Sequence, residues 1–247
     1  MPSTLRSKRP NARRDRRQRR RKKLNQIISN DLITRVSDDE YKRKVKRVYG
    51  GPQGALLSLA STLSLHIPLG ERLFRTRKFD LHGVRSILDV GSGAGQIAQH
   101  LLKYSDPETS VTCTDLSQPM LRRARTRLKR GEPRFVTADL SRLPFADNSF
   151  DCVTCGYVLE HLPDPEPGLT EIARVLQPGG RMFLLTTEDS FGGAWTSRFW
   201  YCRMYNRKEL LRTCENLGLV CKQEIWFTRM HKAMRAGGIC VEVEKAA

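Results

Sequence analysis

Apolar residues change their spacing along the chain at about position 83, and the change divides it. Ahead of that point they recur at helical intervals: Leu24, Ile27, Ile28, Leu32 and Ile33, then Tyr41, Val45 and Val48. Ser37 and Glu40 precede the second run three residues apart, the spacing of a capping box. Gly50, Gly51 and Pro52 then stop it. A third helix is expected over 55–67, closed by Pro68 and Gly70. Beyond His82 and Gly83, short β-rich runs alternate with amphipathic stretches. Strands are predicted at 84–90, 110–115, 133–138, 150–157 and 181–186, with helices over 95–104, 118–129 and 168–176. Pro178, Gly179 and Gly180 read as a turn before the fifth strand. FGGAWTSRFWY, after Glu188, reads as an aromatic-rich loop. A helix over 207–216 ended by Gly218, and β-like runs at 219–227 and 238–243, complete the chain.

Strands alternating with helices argue for βαβ units, and so for an α/β fold with a parallel sheet covered on both sides. Strands buried on both faces should be apolar without interruption, as ILDV and FLL are. The 247 residues suffice for one sizeable domain with an extension. The division expected is a basic tail at 1–23, a helical N-terminal cap at 24–80 and the α/β domain at 81–247.

Charge sharpens that division. Residues 1–23 hold twelve Lys or Arg against Asp15 alone, a net +11 of the chain's +18. Such a segment cannot bury an apolar face and is expected not to fold alone. Its arginines suit nucleic-acid phosphates or anionic lipid headgroups, and it holds no aromatic residue to stack on bases. Seven cysteines, an odd number, suggest a reducing compartment. Cys152 and Cys155 form a C-x-x-C pair, but on a strand a spacing of three puts them on opposite faces, and no second pair stands at zinc spacing. No metal is therefore expected. Nor is there a run of the ~18 apolar residues a membrane span requires, or an apolar core of a secretory signal behind the N-terminal charge. The expectation is a cytoplasmic protein, held at most peripherally at a membrane.

The chemistry concentrates in ILDVGSGAGQIAQHLL, residues 87–102. Gly91, Gly93 and Gly95 fall between the first strand of the sheet and its helix, at the edge where parallel sheets bind ligands. Glycine there lets the backbone turn tightly and approach a ligand. The spacing G-x-G-x-G departs from the dinucleotide fingerprint. Asp89 ends the first strand, Asp115 the second and Asp139 the third. Three acids at neighbouring strand tips, with no Lys or Arg in the loop, disfavour a phosphate. They favour a ligand with hydroxyls, an amine and positive charge.

ILDVGSGAG, VTCTDLS, ADLSRLPFADNSFDCV and YVLEHLPDPEPGLTEIARVLQPGGRMFLLTTE, in that order, resemble the successive motifs of class I S-adenosylmethionine-dependent methyltransferases. The likeness is greatest to the group that includes ubiquinone/menaquinone and sterol methyltransferases, and it covers 84–188. It implies a Rossmann-like, seven-stranded, mostly parallel sheet of order 3-2-1-4-5-7-6, with the seventh strand antiparallel, and S-adenosyl-L-methionine as cofactor. Carried over by position, Asp89, Gly91, Gly93 and Gly95 would wrap the methionine part, and Asp115, with Leu116 beside it, would take the ribose hydroxyls. Asp139 and Leu140 would meet the adenine. Gly156 and Tyr157 would line the sulfonium end. Glu160 and His161 follow the fourth strand, where the quinone subgroup has an Arg-Asn pair; these two and Tyr157 are the candidate catalytic residues, His161 as general base. The acceptor pocket would draw on helix 55–67, Tyr49, Trp195, Phe199, Trp200 and Tyr201. This composition suits a small lipophilic or aromatic acceptor. The alternatives are an RNA methyltransferase relying on the tail, although CGYV stands where amino-methylating DNA enzymes carry [DN]-P-P-[YF], and a non-catalytic fold recruited to RNA or membrane.

Overall fold

In the computed structural model, seven strands form one sheet of order β3-β2-β1-β4-β5-β7-β6. The structure describes residues 66–128, 133–200, 202–234 and 238–247, together with Ser37, Asp39, Glu40, Arg43 and Arg47. The expected helices at 24–33 and over most of 55–67, and the tail, lie outside the described residues. At the capping box, Asp39, Glu40, Arg43 and Arg47 are helical, and the Glu40 N–H donates to Ser37 Oγ at 3.4 Å.

Helix α1 (His66–Arg75) leads into the sheet. The strands are β1 (Ser86–Val90), β2 (Ser110–Asp115), β3 (Arg134–Thr137), β4 (Phe150–Gly156), β5 (Leu176–Thr186), β6 (Leu219–Glu224) and β7 (Ile239–Lys245). The helices between them are α2 (Ala98–Tyr104), α3 (Gln118–Arg127), α4 (Glu166–Val175), α5 (Phe191–Trp200), α6 (Arg207–Asn216) and α7 (Arg229–Met234). β1 to β5 pair in parallel, whereas β7 runs antiparallel to both β5 and β6. This is the order and the antiparallel strand that the resemblance implied.

Alternation along the strands sends side chains into two cores. Leu88, Val90, Val153 and Cys155 enter one; Ile87, Val111, Cys113, Cys152 and Phe183 enter the other. Cys152 and Cys155 thus separate as strand periodicity requires. The second core extends before the sheet begins. Leu73, Phe74 and Phe79 are buried in it, and the Phe79 ring lies 5.2 Å from that of Phe183. Apolar packing is therefore continuous across position 80.

Two elements differ from the sequence reading. Pro178, Gly179 and Gly180 do not separate α4 from β5 but bulge within it: the partner of β4 shifts from Leu176, opposite Phe150, to Arg181, opposite Cys152. The aromatic stretch after Glu188 is helical, as α5, and not a loop. Gly192 and Gly193 gave it the look of a breaker, yet a Cβ on Gly193 would stand 1.9 Å from the Glu188 carbonyl oxygen. The glycine is what allows the helix to start against that backbone.

Candidate active site

At the carboxyl edge of the sheet, the segment after β1 turns back through Gly91, Gly93 and Gly95, all at positive φ (62°, 54° and 81°). Two neighbours fix the turn. Ser92 N–H donates to the Thr114 carbonyl at 2.8 Å, and Gly93 N–H donates to Asp115 Oδ2 at 2.9 Å. Asp115 also accepts from Ser117 N–H, at 2.8 Å, through Oδ1. The strand-end carboxylate and the glycine loop, 22 residues apart in sequence, are thereby one wall.

The segment after β4 closes the other side. A Cβ on Gly91 would meet Val158 Cγ2 at 2.3 Å, and one on Gly156 would meet Ile97 Cδ1 at 2.2 Å. The two glycines let the loop and the β4 exit interlock. Tyr157 itself has φ 58°, a conformation costing a side-chain-bearing residue about 1 kcal/mol or more. Its N–H donates to the Leu185 carbonyl at 2.7 Å, which holds it there.

Between these walls lies a cleft of about 150 Å³, roughly ten times the space one water molecule requires. Gly91, Gly93, Asp115, Leu116, Asp139, Leu140, Tyr157 and His161 of the expected set line it. Val90, Thr114, Met120, Ala138, Val158 and Leu162 complete the lining. Neither Lys nor Arg is among these residues. Asp139 Oδ1 accepts from Ser141 N–H at 2.9 Å, a turn that fixes its carboxyl at the β3 exit.

Asp89, Gly95, Gly156 and Glu160 stand behind the lining. Thr154, its partner in register on β4, donates from Oγ1 to Asp89 Oδ1 at 2.6 Å. Among the described residues no donor reaches the buried Asp89 Oδ2. Burial, aided by the charge of Asp115, pushes the Asp89 carboxyl up to about 6. Asp115 is raised for the first of these reasons, against its two N–H bonds. Glu160 belongs to a short 3-10 turn, Leu159–His161. Its Oε2 accepts from Thr187 N–H at 2.7 Å and from Thr186 Oγ1 at 3.0 Å. It therefore pins that turn to the end of β5. His161, the next residue, lies in the cleft wall, and burial holds its imidazole down to about 4, so it is neutral at pH 7. Burial also raises Tyr157, which keeps its phenolic proton.

Sequence reasoning missed Thr154, Met120, Val158 and Leu162. Thr154 carried a signal, a polar residue in the apolar run DCVTCG, but its partner depends on the β1–β4 register, which only the folded sheet supplies. Trp195 of the expected acceptor pocket is on α5 and does not line this cleft. Tyr49, residues 55–65, Tyr201 and the side chains of Phe199 and Trp200 lie outside the described residues. Among the described residues, no three His, Cys, Asp or Glu side chains converge as a metal site, and no helix is long and apolar enough to cross a membrane.

A family model described as a methyltransferase domain matches residues 88–184. The ubiquinone/menaquinone biosynthesis C-methyltransferase UbiE of Pseudomonas entomophila is 36% identical over 121 residues, 46% of this chain and 47% of that relative. The chain thus spans about half the length of the curated relatives it matches. Among solved structures, magnesium protoporphyrin IX methyltransferase (ChlM) from Synechocystis, with bound SAH, superposes with a TM-score of 0.65 at 14% identity, over 83% of this chain and 100% of that one. A chain from the complex containing the Haloferax volcanii Trm112 methyltransferase activator gives a TM-score of 0.65 at 20% identity, over 86% and 100%. At such identities these likenesses establish the fold.

Proposed function

We propose that this chain, whose residues 88–184 belong to the class I S-adenosylmethionine-dependent methyltransferase family, is an enzyme that methylates a small lipophilic or aromatic acceptor. The observation that carries the reading is the bond from Gly93 N–H to Asp115, which joins loop and carboxylate in one cleft. The lining fits S-adenosyl-L-methionine by its chemistry. Two carboxylates suit hydroxyls and an amine, Leu116, Met120, Leu140 and Leu162 suit a flat ring, and no Lys or Arg that would suit a phosphate is among the described residues lining it.

On this reading Gly91 and Gly93 hold the methionine part, with Asp89 and Gly95 shaping their loop from behind, while Asp115 and Leu116 hold the ribose and Asp139 and Leu140 the adenine. Tyr157 flanks the sulfonium end, with Gly156 behind it. The bound cofactor supplies an electrophilic methyl group on a good leaving group. What remains for the protein is alignment and exclusion of water, the work of Tyr157, Val158 and Leu162. The name of the curated relatives supports a carbon acceptor, and His161 suits one. A neutral aromatic ring methylated at carbon becomes a cation whose ring C–H at that carbon is strongly acidic, so a neutral imidazole with a pKa of about 4 suffices to take that proton and restore the ring. Glu160 is a positioning residue here, because its carboxylate is committed to Thr186 and Thr187.

Calorimetric titration with S-adenosyl-L-methionine tests the reading. Asp115→Ala is expected to weaken binding on the order of tenfold to hundredfold, the worth of a charged hydrogen bond. Transfer of radiolabelled methyl to lipid extract, and not to RNA, is the expected outcome for the acceptor. Binding unchanged in Asp115→Ala, or no binding at all, would overturn the assignment.

A further inference from the structure

Large apolar side chains are exposed at only a few described positions, and three of the four, Phe191 (55%), Trp195 (46%) and Met230 (64%), stand on α5 and α7. Both helices spring from the sheet edge that carries the cleft. β5 ends at Thr186, paired with Ile239 at the start of β7, while the neighbouring Leu185 pairs with Gly156 at the cleft. α5 begins five residues beyond that point, and α7 bridges the same ends of β6 and β7.

On α5, Phe191, Trp195 and Arg198 follow i, i+4, i+7 and form one exposed stripe, while Gly193, Ala194 and Ser197 face the protein. Arg229 and Lys232 are exposed beside Met230. Over 189–203 and 226–238, five Lys or Arg stand against Asp189 alone. Aromatic and thioether side chains ringed by cations are what an anionic bilayer surface recognises: the apolar groups enter the acyl boundary and the cations meet the headgroup phosphates. A phosphodiester chain would use the cations but leave three exposed apolar side chains in water.

We propose that this rim docks on an anionic membrane, with Phe191, Trp195 and Met230 inserted and Arg198, Arg229 and Lys232 at the headgroups. Docked this way, the cleft edge faces the bilayer. That the surface serves to deliver a membrane-dissolved acceptor rests on the methyltransferase reading; the docking itself does not.

Flotation of the full chain with vesicles of phosphatidylcholine, alone or mixed with phosphatidylglycerol, tests it. The wild type is expected to float with the mixed vesicles and to remain partly bound at high salt, where the attraction of its many cations is screened. Phe191→Ser/Trp195→Ser/Met230→Gln should lower high-salt binding on the order of tenfold or more. Arg198→Gln/Arg229→Gln/Lys232→Gln should instead reduce the preference for phosphatidylglycerol at low salt. Circular dichroism and affinity for S-adenosyl-L-methionine, expected to match the wild type, report that the variants are folded. The inference fails if the apolar variant floats like the wild type at high salt, or if the wild type ignores vesicles and retains RNA instead. A wild type that binds vesicles but not the cofactor would sink the enzymatic reading and leave this one standing.

Discussion

Asp89 sits where the sheet's first strand meets the glycine loop, almost fully buried, with one oxygen bonded to Thr154 and the other reached by no donor among the described residues. Its carboxyl, raised from 3.8 to about 6 by burial, makes stability depend on pH with a definite sign. Unfolded, the group releases its proton near 4; folded, it keeps it to about 6. The folded state therefore binds more protons in that window, and stability falls as pH rises from about 4 to about 6, then levels. Two pH units of displacement correspond to roughly 3 kcal/mol. Asp115 and Glu160 are raised as well, so the isolating quantity is a difference. Urea midpoints measured from pH 4 to 7 should diverge between the wild type and Asp89→Asn, the wild type losing ground with rising pH. Parallel curves would mean that Asp89 is ionised throughout. At this scale the sequence was only half informative. The three acids and three glycines announced themselves, because strand-end Asp and G-x-G-x-G depend on local backbone geometry. Thr154 did not, because nothing within a strand says which residue of the next strand lies opposite.

The same limit governs whole elements. β1, β2, β4 and the helices after them could be read from apolar runs and their punctuation, since each is decided within a few residues. α5 could not: its two glycines read locally as a breaker, and the need for Gly193 to clear the Glu188 backbone exists only in the folded chain. The junction that orders this end of the fold is equally non-local. Arg207, 7% exposed at the first turn of α6, gives Nε and Nη2 to the two oxygens of Glu188, both at 3.1 Å. Nη2 also donates to the Gly238 carbonyl at 3.1 Å, Nη1 lies 3.4 Å from Glu224, and the guanidinium lies over the Trp226 ring at 4.9 Å. One planar cation thus ties the ends of β5 and β6 and the approach to β7 to α6. Lysine cannot repeat a two-oxygen fork, and Arg207→Lys should cost about 2 kcal/mol or more in urea denaturation. Asn206, whose Oδ1 caps α6 by accepting from the N–H groups of Lys208 and Glu209, supplies the scale. Asn206→Ala should cost about 1 kcal/mol, and the inference about Arg207 fails if its change proves the milder of the two.

For the molecule as a whole, composition and pattern separate differently from packing. The sequence shifts texture at Gly83, where helical spacing gives way to alternating strands and helices, and a boundary at 80 follows from that reading. Burial follows another logic, because a sheet needs both faces covered and takes the cover from whichever segment lies nearest. Leu73, Phe74, Phe79 and Leu81 are each no more than 4% exposed and share a core with Ile87, Leu101 and Phe183. Lys78 and Asp80 reinforce the contact, Lys78 Nζ donating to the Trp226 carbonyl and the Asp80 carbonyl accepting from Arg181. We infer that the folding unit reaches back at least to α1. Starting the chain at residue 81 would remove Leu73, Phe74 and Phe79. At ~1.5–3 kcal/mol for each buried side chain, that loss rivals the ~5–15 kcal/mol that holds an ordinary domain together. A chain starting at residue 66 keeps them. Urea denaturation should give a cooperative transition for 66–247 and none, or one shifted by several kcal/mol, for 81–247. Equal stability of the two would place the boundary where the texture of the sequence changes, and would make the three side chains cover that the sheet does not need.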